Sequence, residues 1–171
     1  FMIDLLQSIK SRLADPVYGF NPTCASIANS NGVQSLSLNF DSEDPSFYLC
    51  NMTPDAVEST SSVPDFWATC YISTGADMND QKSQVYSGPL NVTIDAHRYY
   101  DAAGVIPDSE ITTALIIMSF NQVMNRLSNQ AWNTDSLYVG RFSVVSYPLA
   151  LAKKESLRQT VRFVFQFQVI E

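Results

Sequence analysis

In the last stretch of the chain, Thr160 to Ile170, Val161, Phe163, Phe165, Phe167 and Val169 alternate with Arg162, Val164, Gln166 and Gln168. A period of two puts the first set on one side of an extended chain and the more polar set on the other, which predicts a strand with one dry face. Each of its three Phe rings can remove roughly 150–250 Å² from water, so this face can anchor a core. A second long strand is predicted within Val85 to Tyr100, where Tyr86, Leu90, Val92, Ile94 and Ala96 oppose Asn91, Thr93, Asp95 and His97. Phe66 to Thr74 differs, because Phe66, Ala68, Cys70 and Ile72 on one parity face Trp67, Thr69, Tyr71 and Ser73 on the other. Cover on both faces predicts a central strand. Shorter strands are expected at Val33–Phe40 and Phe47–Met52, and a longer one at Leu137–Tyr147.

The helical period occurs twice. Met2, Leu6, Ile9 and Leu13 form one stripe over Met2–Ala14, stopped by Asp15 and Pro16. Pro107 with Asp108 or Ser109 opens a longer helix reaching about Asn129, roughly 30 Å at 1.5 Å per residue. Its residues Ile111, Ala114, Leu115, Ile117, Met118, Phe120, Met124 and Leu127 cover more than half the circumference. Such a helix covers a sheet and has apolar surface left for something else. Val17–Gly32 reads as a long ordered loop, and Thr53–Pro64 as a polar one. The order fits an α+β fold: a mixed, mostly antiparallel sheet of five or six strands, with a short N-terminal helix and one long helix packed on one face. Residues 1–171 are expected to form a single domain.

Composition narrows the function. The chain is 46% hydrophobic, yet no stretch approaches the roughly 20 apolar residues of a membrane span. No secretory leader is expected from the helical opening, and Phe1 before Met2 fits a processed chain or one with residues upstream. Ten basic residues against seventeen acidic ones give a net charge of −7, and only Lys153 and Lys154 are adjacent. That is not the footprint of a nucleic-acid binder. Cys24, Cys50 and Cys70 form neither a CxxC nor a zinc pattern and are expected as reduced thiols.

Catalytic signals are sparse. His97 is the single histidine, and Asp95 shares its strand face, so the pair could be a base with its orienting carboxylate or two metal ligands. No third partner, nucleophile elbow, Walker loop or GxGxxG accompanies them, and the expected place of His97 is a solvated or partner-facing strand surface. The acidic groups Asp41, Glu43, Asp44 and Asp77, Asp80 lack the glycine and terminal glutamate of an EF-hand. No catalytic residue, metal or cofactor is therefore expected. Asn51-Met52-Thr53 and Asn91-Val92-Thr93 match the glycosylation pattern, the second inside a predicted strand.

The order of elements, carried by Met2–Leu13, Phe66–Ile72, Leu90–Tyr99, Glu110–Leu127, Leu137–Tyr147 and the Arg158-Gln159-Thr160-Val161-Arg162-Phe163 opening of the last strand, resembles the tail-terminator (tail-completion) proteins of long-tailed bacteriophages. The resemblance implies a virion structural protein rather than an enzyme, assembled in the host cytoplasm. It would form a ring, six-membered by the resemblance, that caps the tail tube and joins it to the head. The implied partners are further copies of the chain, the tail tube protein and the connector or neck protein. DNA would only pass through the pore, where net negative charge suppresses phosphate contacts, and no membrane is involved. Candidate contact residues are Asp77, Asp80 and Lys82, Lys153 and Lys154, and the polar strand face Arg162, Gln166 and Gln168. Three other readings stay open: a neck or head-closure protein of the same virion, a small cytosolic enzyme or ligand-binding domain using Asp95 and His97, and a secreted module glycosylated at Asn51 or Asn91 with two paired cysteines.

Overall fold

The computed structural model describes residues 2–74, 89–101, 108–125, 137–152 and 156–169. In chain order they form α1 (Met2–Ala14), α2 (Phe20–Asn31), β1 (Phe47–Tyr48), α3 (Pro54–Thr60), β2 (Phe66–Thr74), β3 (Pro89–Asp101), α4 (Ser109–Met124), β4 (Leu137–Ser146), β5 (Ala150–Leu151) and β6 (Ser156–Val169). The result is an α+β fold around a mixed, mostly antiparallel sheet. Its strand order is β1-β2-β3-β6-β4, with β5 also paired to β6. Only β1 and β2 run parallel.

Both long alternating stretches lie at the centre. β3 and β6 pair antiparallel over their length, Ile94 opposite Phe163 and Val92 opposite Phe165. The dry face combines Leu90, Val92, Ile94 and Ala96 with Val161, Phe163, Phe165 and Phe167, all buried. α1, α2 and α4 cover it. Phe20 of α2 lies 4.7 Å from Phe120 of α4, ring centre to ring centre, and Phe120 lies 4.9 Å from Phe163. The buried stripe of α1 is Leu5, Ile9 and Leu13, and Arg12 Nε donates to the Val123 carbonyl at 2.8 Å, tying α1 to the end of α4.

Several expectations are corrected. The 17–32 segment is mostly helix rather than loop: Phe20, Thr23, Cys24 and Ala28 fall on one face and are buried. Gly19 makes the turn before it possible, since a Cβ there would sit 2.3 Å from the Asp15 carbonyl oxygen. Gly32 ends α2 in the left-handed region at φ 65°. Residues 33–40 join no ladder, and α2 side chains bond part of their backbone instead. Leu38 N–H donates to Asn21 Oδ1 at 2.8 Å, and Asn21 Nδ2 donates to the Leu38 carbonyl at 2.9 Å. The strand expected over 47–52 shortens to two residues, and 53–64 contains α3. β2 is consequently next to a stub of an edge strand. The long helix is described from Ser109 to Met124, with Asn125 as its cap. Finally, α3 is an additional helix and sits against the other face, held by Asp55 and Glu58.

Candidate functional site

That other face was expected to be wet, and it is not. The polar set of β3 is buried: Thr93, Asp95 and His97 are 2, 7 and 2% exposed. Opposite Asp95, His97 and Tyr99 on β6 stand Arg162, Thr160 and Arg158, three residues of one parity on a single strand face. α3 is capped by Thr53, whose side chain accepts from Ala56 N–H, and begins at Pro54. It lies over this surface, held by Tyr99 O–H donating to Glu58 and by Arg158 ion-paired to Asp55 and Glu58. Trp67 of β2 is wholly buried beside it and donates from Nε1 to Tyr99 Oη at 3.0 Å.

Asp95 sits at the centre of a charge network. Arg162 grips it in a fork, Nε to Oδ1 at 2.7 Å and Nη2 to Oδ2 at 3.0 Å, and Tyr71 O–H donates to Oδ2 at 3.0 Å. Two parallel charge-assisted bonds fix both side chains. The Asp95 bonds hold the Arg162 guanidinium firmly charged, while burial and the Asp95 charge push the Tyr71 hydroxyl above its usual range. The Tyr147 ring lies under the guanidinium, 5.8 Å from Cζ to centroid.

His97 is placed differently. Its ring packs on Trp67 at 4.4 Å between centroids, and Nδ1 is 2.9 Å from Thr160 Oγ1. Burial lowers its pKa to about 4, helped by the Arg158 and Arg162 charges and opposed by Asp95. It is thus a neutral imidazole near pH 7, bonded to a hydroxyl. The solvated or partner-facing His97 expected from the sequence is replaced by a buried one, because α3 and Trp67 cover the polar parity of β3. No hydrogen bond joins His97 to Asp95 among the described residues, so the pairing that could have made a base and its orienter is taken up by Thr160 and Arg162 instead.

A cavity of about 260 Å³ opens beside this cluster, lined by Asp95, His97, Arg158, Thr160, Arg162 and Tyr147, with Pro54 and Pro148 among its walls. Of the expected contact residues, Arg162 belongs to it. Gln166 lies further along the same strand face, half-buried and in register with Asn91 and Arg141. Gln168 pairs with Pro89 and Tyr138. Asp77, Asp80, Lys82, Lys153 and Lys154 lie outside the described residues. Arg158, Thr160, Tyr71 and Tyr147 were not singled out, although the parity of Arg158, Thr160 and Arg162 was readable. Among the described residues no group of three His, Cys, Asp or Glu is arranged to hold a metal, and no helix is long and apolar enough to cross a membrane. Cys24 and Cys70 are buried, Cys50 is half-buried, and all three are free thiols.

Comparison with protein-family models and with curated proteins finds no match to this chain.

Proposed function

We propose that the chain is a non-enzymatic structural subunit that assembles with its own copies into a ring, of the kind that closes a phage tail tube and joins it to the neck. The observation carrying this reading is β4. This ten-residue strand is at the end of the sheet, and no described strand pairs with its outer side. Phe142, Val145 and the adjoining Tyr147 are 40, 49 and 40% exposed along it. A long edge with apolar side chains is a pairing surface unless something covers it. The cluster around Asp95 supports the same reading. Its carboxylate is neutralised by Arg162 and its imidazole is neutral, stacked and bonded, an arrangement that holds strands together and leaves no activated nucleophile or base.

The test is the native mass by light scattering over a range of concentrations, with and without tail tubes. A ring of about six, formed alone or on tubes, is expected. A monomer indifferent to concentration and to tubes would refute the assignment.

A further inference from the structure

α3 is held differently from the other helices. α1 buries Leu5, Ile9 and Leu13, and α2 buries Phe20, Cys24 and Ala28, whereas α3 has seven residues and buries one apolar side chain, Val57. Two turns of helix do not persist in water by themselves, so α3 is helical only while it is docked. Its anchors to the sheet are polar. Glu58 accepts from Tyr99 O–H, and Asp55 and Glu58 approach Arg158 Nη1 at 3.5 and 3.6 Å, within ion-pair range but longer than a charge-assisted hydrogen bond. The Asp55 side chain is 69% exposed, which weakens its pair further. No residue of α3, or of 49–53 and 61–65 on either side of it, joins a ladder. A segment with few buried apolar groups and no strand pairing opens at a lower free energy than the sheet beneath it.

Under this cover lies a group that gains from opening. Pro54, where α3 begins, walls the same cavity as the buried His97. The imidazole is otherwise enclosed by strands of the sheet: Trp67 of β2 stacks on it, and Thr160 of β6 meets Nδ1. A proton on His97 would face the positive charges of Arg158 and Arg162. Asp95 favours that proton, but its two oxygens already accept from Arg162 and Tyr71. Asp55 and Glu58 act on the site through Arg158, and Tyr147 packs against Arg162. The Tyr71 and Tyr99 hydroxyls are pushed above their usual range and stay neutral. Charging the imidazole therefore calls for water, and α3 can leave without unpairing any strand.

We infer that α3 is an acid-released strap: it lifts from the sheet while the strands stay paired, and the lifted form, in which water reaches His97, is the one that takes up the proton. A ligand that binds one of two states shifts the balance towards it, and here the ligand is the proton. With His97 at about 4 when covered and at its ordinary 6.5 when hydrated, the ratio of lifted to closed form rises about twentyfold between pH 7 and pH 5. Lifting also uncovers Trp67, which is wholly buried in the closed form.

The test is amide hydrogen exchange on the full chain by NMR at pH 7, 6 and 5, corrected for the intrinsic effect of pH, with and without guanidinium below the unfolding transition. The Val57 and Ser61 amides, which donate to the Thr53 and Val57 carbonyls, report on α3, and the amides of β3 and β6 report on the sheet. In wild type the α3 amides should be less protected than those of the sheet, should exchange at a rate that low guanidinium leaves unchanged, and should lose protection about twentyfold from pH 7 to pH 5. In His97→Asn the loss should shrink to less than about threefold, the part left to carboxylates. If that variant does not fold, the guanidinium and pH dependence of wild type decide by themselves. Exchange of the α3 amides at the rate and guanidinium slope of the sheet amides would overturn the strap, since α3 would then open only with the whole fold. Local exchange that does not change with pH, or changes equally in His97→Asn, would overturn the release by acid.

Discussion

His97 makes the fold acid-sensitive because its imidazole is buried in the neutral form. Its folded-state pKa of about 4 lies below the ordinary 6.5, so the unfolded chain takes up the proton first as pH falls. The sign follows: the contribution is fully present above pH 6.5, falls through the window between 6.5 and 4, and is gone below it. At about 1.36 kcal/mol per pKa unit the whole loss is about 3 kcal/mol, and about 2 kcal/mol of it is spent between pH 7 and pH 5. The cause is burial against Trp67, with the charges of Arg158 and Arg162 adding to it and Asp95 opposing it.

The assay is guanidinium unfolding at half-unit steps from pH 7.5 to pH 4, in wild type and in His97→Asn. Asn keeps an amide near the Nδ1 position to bond Thr160 but cannot titrate. Carboxylates also weaken the fold in acid, so the diagnostic quantity is the difference between the two curves. The variant should start less stable at pH 7, because it loses the ring contact with Trp67, and the gap should close by about 2 kcal/mol on reaching pH 5. A parallel NMR titration should place the His97 midpoint near 4. Curves that stay parallel, or a midpoint above 6, would refute the burial argument.

Other perturbations probe separate layers. Arg162→Ala strands the Asp95 carboxylate, on a residue 7% exposed, and should cost about 2–3 kcal/mol, at the lower end for a broken buried pair because the Arg162 side chain is 41% exposed and water can reach the site; a cost under 1 kcal/mol by denaturant titration would mean the pair is not coupled to the fold. Tyr71→Phe removes one donor to the same carboxylate and should cost about 1 kcal/mol, and the double variant should deviate from additivity because both partners share Asp95. Phe120→Ala empties the space between Phe20 and Phe163 and should cost about 3–5 kcal/mol in the same assay. In the native protein a thiol reagent should label Cys50 first, slowly, because burial raises its pKa; Cys24 and Cys70 should react only on unfolding, and early labelling of Cys70 would show that β2 is not covered.

How far the sequence carried the fold depended on whether one physical signal dominated. β6, β3 and β2 were legible because period-two alternation ran over nine or more residues, and α1 and α4 because apolar positions recurred at three and four. α2 was missed although Phe20, Thr23, Cys24, Ile27 and Ala28 follow the helical spacing, because Asn21, Pro22, Asn29 and Asn31 suggest a loop. Pro22 is tolerated within the first turn, and Gly32 marks the end. α3 carried the Thr53-Pro54 start signature inside a run of hydroxyl residues that hid it. Residues 33–40 alternate like a strand but join no ladder. What prevented a ladder is Asn21, a side-chain substitute for a neighbouring strand that no local pattern announces. The candidate site was half visible: Asp95, His97 and Arg162 were named, but their burial depends on α3 and Trp67 arriving from elsewhere in the chain.

The buried polar face makes sense as a register device. Asp95 is directly opposite Arg162, and His97 directly opposite Thr160, on the two strands that hold the sheet together. A slip of β6 by one residue would set Val161 or Phe163 against Asp95 and leave its carboxylate without its fork. The same slip would turn the phenylalanine row away from Phe120. Apolar alternation alone already disfavours that slip, and the ion pair adds a penalty of a different kind, since an uncompensated buried charge costs more than a lost contact. Fixed register in turn decides where Arg158 and Tyr147 stand, because Tyr147 N–H donates to the Thr160 carbonyl at 3.0 Å just past β4. The Asp95 network is therefore the frame of the cavity, and Arg158, ion-paired to Asp55 and Glu58, ties α3 to it.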